Sequence, residues 1–348
     1  MHRSTRRGLL LSDKGGQMNR RRKLMVAMGA SAFGMPFAAF AQQQNKVWRV
    51  GFLSPRSRPA NLDSDIFAAF ASGMRELGYV EGKNLAIEWR FAGGKSEALP
   101  ALAAELVRLK VDLIVASSTQ STLAAQKATV GIPIVMGSVS DPVGNGFIKS
   151  LARPGGNITG FANLASDLAP KRLEMLRSMV PKLARVAALV NPSNPGHAEF
   201  VRSLQAAGKT VGVVILPVPA GSPPEIDAAF AAMKRDAAGA VIVAADQYFR
   251  EQRTQLATAA AKHRMPSIFA NRAFVEAGGL LCYGADTVDL YRRAATHVDK
   301  IFKGTKPGDI PVEQPTKFEL FINGKTAKAL GLKIPQSLLI MADKVIEW

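Results

Sequence analysis

Residues 112–138 read DLIVASSTQSTLAAQKATVGIPIVMGS. Residues 112–117 (DLIVAS) are a short, continuously apolar strand. Residues 119–129 read as a helix, and residues 133–138 (PIVMGS) as a second apolar strand. A strand with no polar alternation is covered on both faces. A strand–helix–strand unit of this length places its two strands parallel. The stretch therefore predicts an α/β fold with helices on both sides of a parallel sheet.

The same rhythm extends in both directions. Upstream lie a strand over 47–54, a helix over 65–79 with Ile66, Phe70, Met74 and Leu77 on one face, a strand over 84–91, and a helix over 97–110 with Leu99, Leu102, Leu106 and Leu109 inward. Downstream, a strand over 157–163 comes after the turn Arg153-Pro154-Gly155-Gly156. A second series then begins: helix 168–180, strand 185–191, helix 195–207, strand 211–218, helix 224–236, strand 240–245, helix 252–263, and strands 267–270 and 280–283. A helix over 287–303 carries Val288, Tyr291, Ala295, Val298 and Phe302 on one face. Pro307, Pro311 and Pro315 interrupt the next segment, before FELFI at 318–322 and a helix from Gly324. The expected fold is α/β, with two doubly wound parallel-sheet lobes, 47–160 and 161–286. Residues 287–348 are expected to return a helix to the first lobe and then cross back.

The start of the chain has a different character. Residues 19–44 read NRRRKLMVAMGASAFGMPFAAFAQQQ. Four basic residues, an uncharged run and Ala39-Phe40-Ala41 have the layout of a cleaved secretory leader, placing a signal peptide over 1–41 and the mature protein outside the cytoplasm. Gly29, Gly34 and Pro36 interrupt the run, which makes it a poor permanent span. Arg21-Arg22-Lys23-Leu24-Met25 also fits a twin-arginine export pattern, so the route stays open between the two. Met18 offers a second start, which would make 1–17 an over-extended beginning. The leader holds +7 of the chain's +18 formal charge, so the body carries +11. Its Lys and Arg are scattered among Asp and Glu, with no basic stripe interleaved with aromatics, so nucleic acid is not an expected partner. Cys282 is the chain's one cysteine, which excludes an internal disulfide or a CxxC centre and leaves it as a small apolar residue.

Open parallel sheets bind ligands beyond the carboxyl ends of their strands. Those ends supply Ser54, Ser117, Thr119, Ser140 and Asp141 from the first lobe, and Asn191, Asp246, Asn271 and Tyr283 from the second. Hydroxyls, amides, a carboxylate and a phenol suit hydrogen bonding to a small polar molecule. Helix capping explains Ser117, Thr119 and Asp246 equally well, and turn formation explains Asp141-Pro142 and Asn191-Pro192. Enzyme signatures fail. Gly94-Lys95-Ser96 ends like a phosphate loop, but Trp89 stands where its first glycine belongs. Gly144-Asn145-Gly146 meets Lys149 where a third glycine is needed. There is no G-x-S-x-G turn, and His197, His263 and His297 fall in no metal-ligand spacing. No catalytic residue, cofactor or metal is expected. Asn157-Ile158-Thr159 is a glycosylation sequon by letters alone.

Residues 47–348 resemble the periplasmic substrate-binding proteins of ABC transporters, in the family described as tryptophan/tyrosine-type uptake binding proteins. The likeness is carried by Gly78-Tyr79-Val80-Glu81-Gly82-Lys83-Asn84, by Ser140-Asp141-Pro142-Val143, and by residues 151–160 (LARPGGNITG). Asn191-Pro192, Gly278-Gly279-Leu280, Tyr283-Gly284, Phe318-Glu319-Leu320 with Asn323, and residues 329–335 (ALGLKIP) extend it. The resemblance implies a type I periplasmic-binding-protein fold, two lobes joined by a three-strand hinge, a ligand in the cleft and no catalysis. It implies an inner-membrane ABC permease as partner and a periplasmic location, while a monomer is the default expectation that the sequence itself does not decide. The strand-end hydroxyls and helix N-termini then suit a ligand carboxylate, and Asp246 an ammonium. An aromatic ligand would need stacking partners, for which Tyr248, Phe249 and Tyr283 are the candidates. A ligand-presenting sensor module for a membrane receptor, and an exported α/β hydrolase, are the alternatives.

Overall fold

Strand β1 (Trp48–Ser54) is buried from Val50 to its end, and it sits in the interior of its sheet. Around it the chain forms α1 (Asp65–Glu76), β2 (Leu85–Phe91), α2 (Leu99–Arg108), β3 (Leu113–Ala116), α3 (Thr119–Ala128), β4 (Ile134–Val139) and β5 (Ile158–Ala162). The computed structural model describes residues 46–63 and 65–347, and the expected leader lies outside them. The five strands run in the order β2-β1-β3-β4-β5, all parallel. β3 and β4 are buried along their whole length, as two-faced cover requires.

The second lobe contains α4 (Ala169–Met179), β6 (Arg185–Val190), α5 (His197–Val211), β7 (Val214–Pro219), α6 (Pro223–Arg235), β8 (Ala240–Val243), α7 (Gln247–Glu251), α8 (Arg253–Lys262), β9 (Ser267–Phe269), α9 (Arg272–Glu276) and β10 (Leu281–Ala285). After α10 (Thr287–Phe302) come β11 (Phe318–Asn323), α11 (Gly324–Leu330), α12 (Gln336–Met341) and β12 (Lys344–Ile346). Its sheet order is β12-β11-β10-β9-β8-β6-β7. β11 runs antiparallel to β10, so this sheet is mixed where the sequence pattern reads only parallel strands. The cause is the route of the chain: β11 enters from the first lobe, at the edge where β10 leaves. Residues 211–213, read as the start of a strand, instead end α5. Gly212 takes the left-handed conformation (φ 69°) that stops the helix, and β7 begins after it. The short helices α7, α9 and α12 and the strand β12 are not anticipated by the periodicity.

Helix α10 comes after β6 to β10 of the second lobe in the chain but packs on α1 and β4 of the first. Two glycines make room for it. A Cβ on Gly73 would lie 2.3 Å from the Arg292 carbonyl oxygen, and one on Gly137 would lie 2.4 Å from the Tyr291 ring. Phe52, Phe67, Phe70, Tyr291 and Val298 share the resulting core, each worth about 1.5–3 kcal/mol of burial. Trp48 and Phe302 stack at its end with centroids 4.0 Å apart. Three segments pass between the sheets: from β5 to α4, from β10 to α10, and from Glu313 to β11. The third runs beside the first, where the Glu313 amide donates to the Gly160 carbonyl (2.9 Å) and the Ala162 amide to the Glu313 carbonyl (3.0 Å). No helix among the described residues is long and apolar enough to cross a membrane.

Candidate ligand site between the lobes

The N-terminus of α3 opens onto the gap between the lobes. Ser118 caps it reciprocally: its hydroxyl accepts from the Ser121 amide (3.1 Å), and its own amide donates to the Ser121 hydroxyl (2.8 Å). This fixes Thr119 and Gln120 at the rim of a cavity of about 60 Å³. Facing them, Asp246 caps α7. Its Oδ1 accepts from the Tyr248 amide (2.8 Å) and from Asn191 Nδ2 (3.2 Å). Its Oδ2 accepts from Asn194 Nδ2 (2.7 Å) and from Gln120 Nε2 of the other lobe (2.9 Å). The Asp246 side chain has no exposed surface, and both oxygens are engaged by protein donors.

Further contacts close the gap. Gln247 Nε2 donates to the Ser117 carbonyl (3.4 Å), and the Ser57 amide to the Glu251 carboxylate (3.0 Å). Arg250 of α7 pairs with Asp65 of α1, and Asp65 Oδ2 also accepts from Arg56 Nη1 at 2.8 Å. Burial alone would raise the Asp65 carboxyl, but Arg250 and Arg56 outweigh it and hold the group below the ordinary carboxylate range. Arg250 Nη1 donates to the Thr287 hydroxyl (2.8 Å), which also accepts from Asn271 Nδ2 (3.1 Å).

Arg172 stands out among the lining residues. It lies on α4 and is 1% exposed. Its Nε donates to the Tyr283 carbonyl (2.7 Å) and its Nη1 to the Ala165 carbonyl (3.3 Å). Among the described residues it has no ion-pair partner, and burial pushes its guanidinium down to about 10, which leaves it charged at neutral pH. Two oxygens on lining residues, Gln120 Oε1 and Gln247 Oε1, are buried without a donor. His197 is neutral: its Nδ1 accepts from the Asn191 amide (2.9 Å), so the Nε2 hydrogen is directed to the Ala245 carbonyl (3.2 Å). Burial lowers its pKa, and the nearby Asp246 carboxylate only partly offsets this.

The strand-end residues fall into three groups. Thr119, Asp246 and Asn271 line the cavity. Ser140 and Asn191 stand one bond behind it: the Ser140 hydroxyl donates to Oδ1 of the lining Asn163 (3.0 Å), and Asn191 holds Asp246. Ser54, Ser117, Asp141 and Tyr283 do not line it. Ser54 Oγ accepts from the Arg56 amide, and Ser117 offers its carbonyl to Gln247 and Tyr291. Asp141 turns its Oδ1 to the Gly144 amide (2.8 Å) and lines a separate groove of about 370 Å³. Tyr283 lends a carbonyl to Arg172, while its ring stacks on Phe318 at 6.2 Å. Tyr248 and Phe249 pack into the core beneath β8. Arg172, Gln120, Asn163, Gln247 and Arg250 are absent from the strand-end set. Arg172 had a readable signal, since it occupies the buried stripe of α4 with Ala169, Leu173 and Leu176. Cys282 is buried as expected, with its thiol raised to about 12 by that burial. Among the described residues no cluster of His, Cys, Asp and Glu is placed to hold a metal.

The family described as ABC transporter substrate binding protein matches residues 57–346. A Tyrosine-binding protein of Clostridioides difficile (strain R20291) is 30% identical over 266 residues, 76% of each chain. The ABC domain from Streptococcus pneumonia in complex with L-Trp is 27% identical and superposes with a TM-score of 0.79, over 86% of this chain and 99% of that one. The ligand-free, open structure of a substrate binding protein with adhesive properties from Clostridium difficile is also 27% identical, but its TM-score is 0.60, over 83% of this chain and 97% of that one. At equal identity the L-Trp complex is the nearer in shape. That agrees with the direct bonds joining the two lobes here.

Proposed function

The chain belongs to the ABC transporter substrate-binding proteins, and we propose that it is the exported component of an uptake system, holding an α-amino acid or similar zwitterion between its lobes. One observation carries this reading: Arg172 is a buried, charged guanidinium on the cavity wall with no carboxylate beside it among the described residues. An uncompensated buried charge is costly, by several kcal/mol even after relaxation. A ligand carboxylate would offset that cost through a charge-assisted pair.

The opposite charge of the ligand has its own complement. Gln120 Oε1 and Gln247 Oε1 await donors, and they come from opposite lobes. An ammonium between them would satisfy both and draw the lobes together. Asp246 acts here by holding Gln120, Asn191 and Asn194 in place rather than by touching the ligand. Thr119 and Asn271 add neutral bonds. Closure over the ligand is a hinge motion through the three crossing segments, and the closed form docks on a permease of the inner membrane. The leader over 1–41 supplies the export this role needs.

Thermal melting of the protein purified after export, with each of the common α-amino acids, tests the reading. At least one is expected to raise the melting temperature, in proportion to the logarithm of its concentration above Kd. Arg172→Gln is expected to remove that rise while the unliganded protein still melts cooperatively. No shift with any of them sinks the proposal.

A further inference from the structure

The tyrosine-binding relative and the L-Trp complex are both described with large aromatic amino acids, whereas this cleft is short of both space and stacking surface. We propose that the closed site selects α-amino acids with short side chains, and that the Arg250–Asp65 pair sets the limit. The inference rests on the zwitterion reading above and narrows it.

Three observations carry it. The cavity between the lobes is about 60 Å³ and partly open to solvent. At roughly 10–15 Å³ for each water position, that is a handful of positions. A carboxylate and an ammonium use most of them, and an indole or phenol ring does not fit beside them. Second, the aromatic side chains near the cleft are turned away from it. Phe274 is the exception, the one aromatic on the lining, and one of its two faces is taken by Phe269, stacked at 4.6 Å. Tyr283 is stacked on Phe318, and Tyr248 and Phe249 belong to the core of the second lobe. Third, the wall is occupied by a long charged side chain that is tied down. Arg250 is buried, its Nη1 is fixed by Thr287, and its Nη2 pairs with Asp65. Asp65 is itself held by Arg56 and adopts a left-handed backbone (φ 60°). The three side chains come from two lobes, so the pair forms as the cleft closes. A larger ligand side chain would have to displace Arg250 and leave Asp65 facing Arg56 alone.

Calorimetric titration of the purified protein tests this, with glycine, L-alanine and L-serine on one side and L-tyrosine and L-tryptophan on the other. The short amino acids are expected to bind at least tenfold more tightly. Arg250→Ala is expected to narrow that gap at least tenfold, chiefly by admitting the aromatic pair. Asp65→Asn, which keeps the volume but releases Arg250, is expected to move it in the same direction by less. Tight binding of L-tyrosine or L-tryptophan by the unaltered protein overturns the size limit and leaves the zwitterion reading standing. Absence of binding by all five, and by every other α-amino acid, overturns both. If both variants fold, as judged by cooperative melting, and neither changes the ratio, the assignment to the Arg250–Asp65 pair is wrong.

Discussion

The two lobes bring different chemistry to the same cavity. The first contributes Ser118, Thr119, Gln120 and Ser138, all neutral, from the start of α3 and the end of β4. The charged lining residues, Arg172, Asp246 and Arg250, all belong to the second. The difference reflects how each lobe stabilises what it buries. The first lobe uses hydroxyls whose bonds close locally, as in the Ser118–Ser121 box. The second lobe buries ions and surrounds them with amides and carbonyls: Asn191 and Asn194 on Asp246, main-chain carbonyls on Arg172. At the cavity a neutral face meets a charged one, and the charges that closure brings together, Asp65 and Arg250, do so beside it. On the proposed reading, the second lobe sets what is recognised, and the first sets whether the cleft shuts.

The sharpest way to break this contrast is to remove a charge from one side and a hydroxyl from the other. Arg172→Gln is expected to weaken binding of whichever α-amino acid stabilises the protein by at least ~100-fold, about 2.7 kcal/mol. Thr119→Val is expected to cost ~10-fold or less, near the net worth of one neutral hydrogen bond. Titration calorimetry on both variants decides it, and equal losses would end the division of labour. Asp246→Ala probes the framework. It strips the cap from α7 and orphans the amides of Gln120, Asn191 and Asn194. Urea unfolding is expected to show about 2–3 kcal/mol of lost stability. Undiminished ligand affinity in that variant would dismiss any role for Asp246 as the ammonium partner.

Gly73→Ala moves the test to the far side of the first lobe. Its Cβ would sit against the Arg292 carbonyl, and about 1–3 kcal/mol of destabilisation is expected from the same unfolding measurement, with cleft chemistry unchanged. The smallest effect is the response to acid. Burial lowers the pKa of His197 and of His297. Between each lowered value and about 6.5 the unfolded chain binds more protons than the folded one. Stability is therefore fully present above about pH 6.5 and declines as pH drops through that window. Melting curves from about pH 7.5 to about 5 should show the decline, and His197→Gln should flatten it. A profile unchanged by that substitution would count against a protonation cost at His197.

The alternation of apolar strands and amphipathic helices was legible from the chain because each element carries its own periodicity. β3 and β4 are buried end to end, as DLIVAS and PIVMGS require. The antiparallel sense of β11 was not legible, because direction depends on which lobe the chain arrives from. The cavity lining was legible where its residues are helix caps at strand ends, namely Asp246 and Asn271, with Thr119 opening α3 next to its cap. It was not legible where a backbone group makes the contact. Tyr283 contributes a carbonyl, and its ring is claimed by Phe318 from a strand formed much later in the chain. Ser117 is covered by Tyr291, which arrives from α10. Arg172 had a signal in its place on the buried stripe of α4, but an arginine there is ordinarily discounted as a stem lying along a surface.

The position of α10 has a consequence for how the protein is made. Phe67, Phe70 and Met74 are covered by a helix that the ribosome delivers only after β6 to β10 of the second lobe. The first lobe cannot finish its core while it is the only part synthesised. Its apolar face stays open until residue 302 is available, and the contacts that close it span most of the chain. Such long-range closure slows folding and favours a nascent chain that has not yet committed to a compact state.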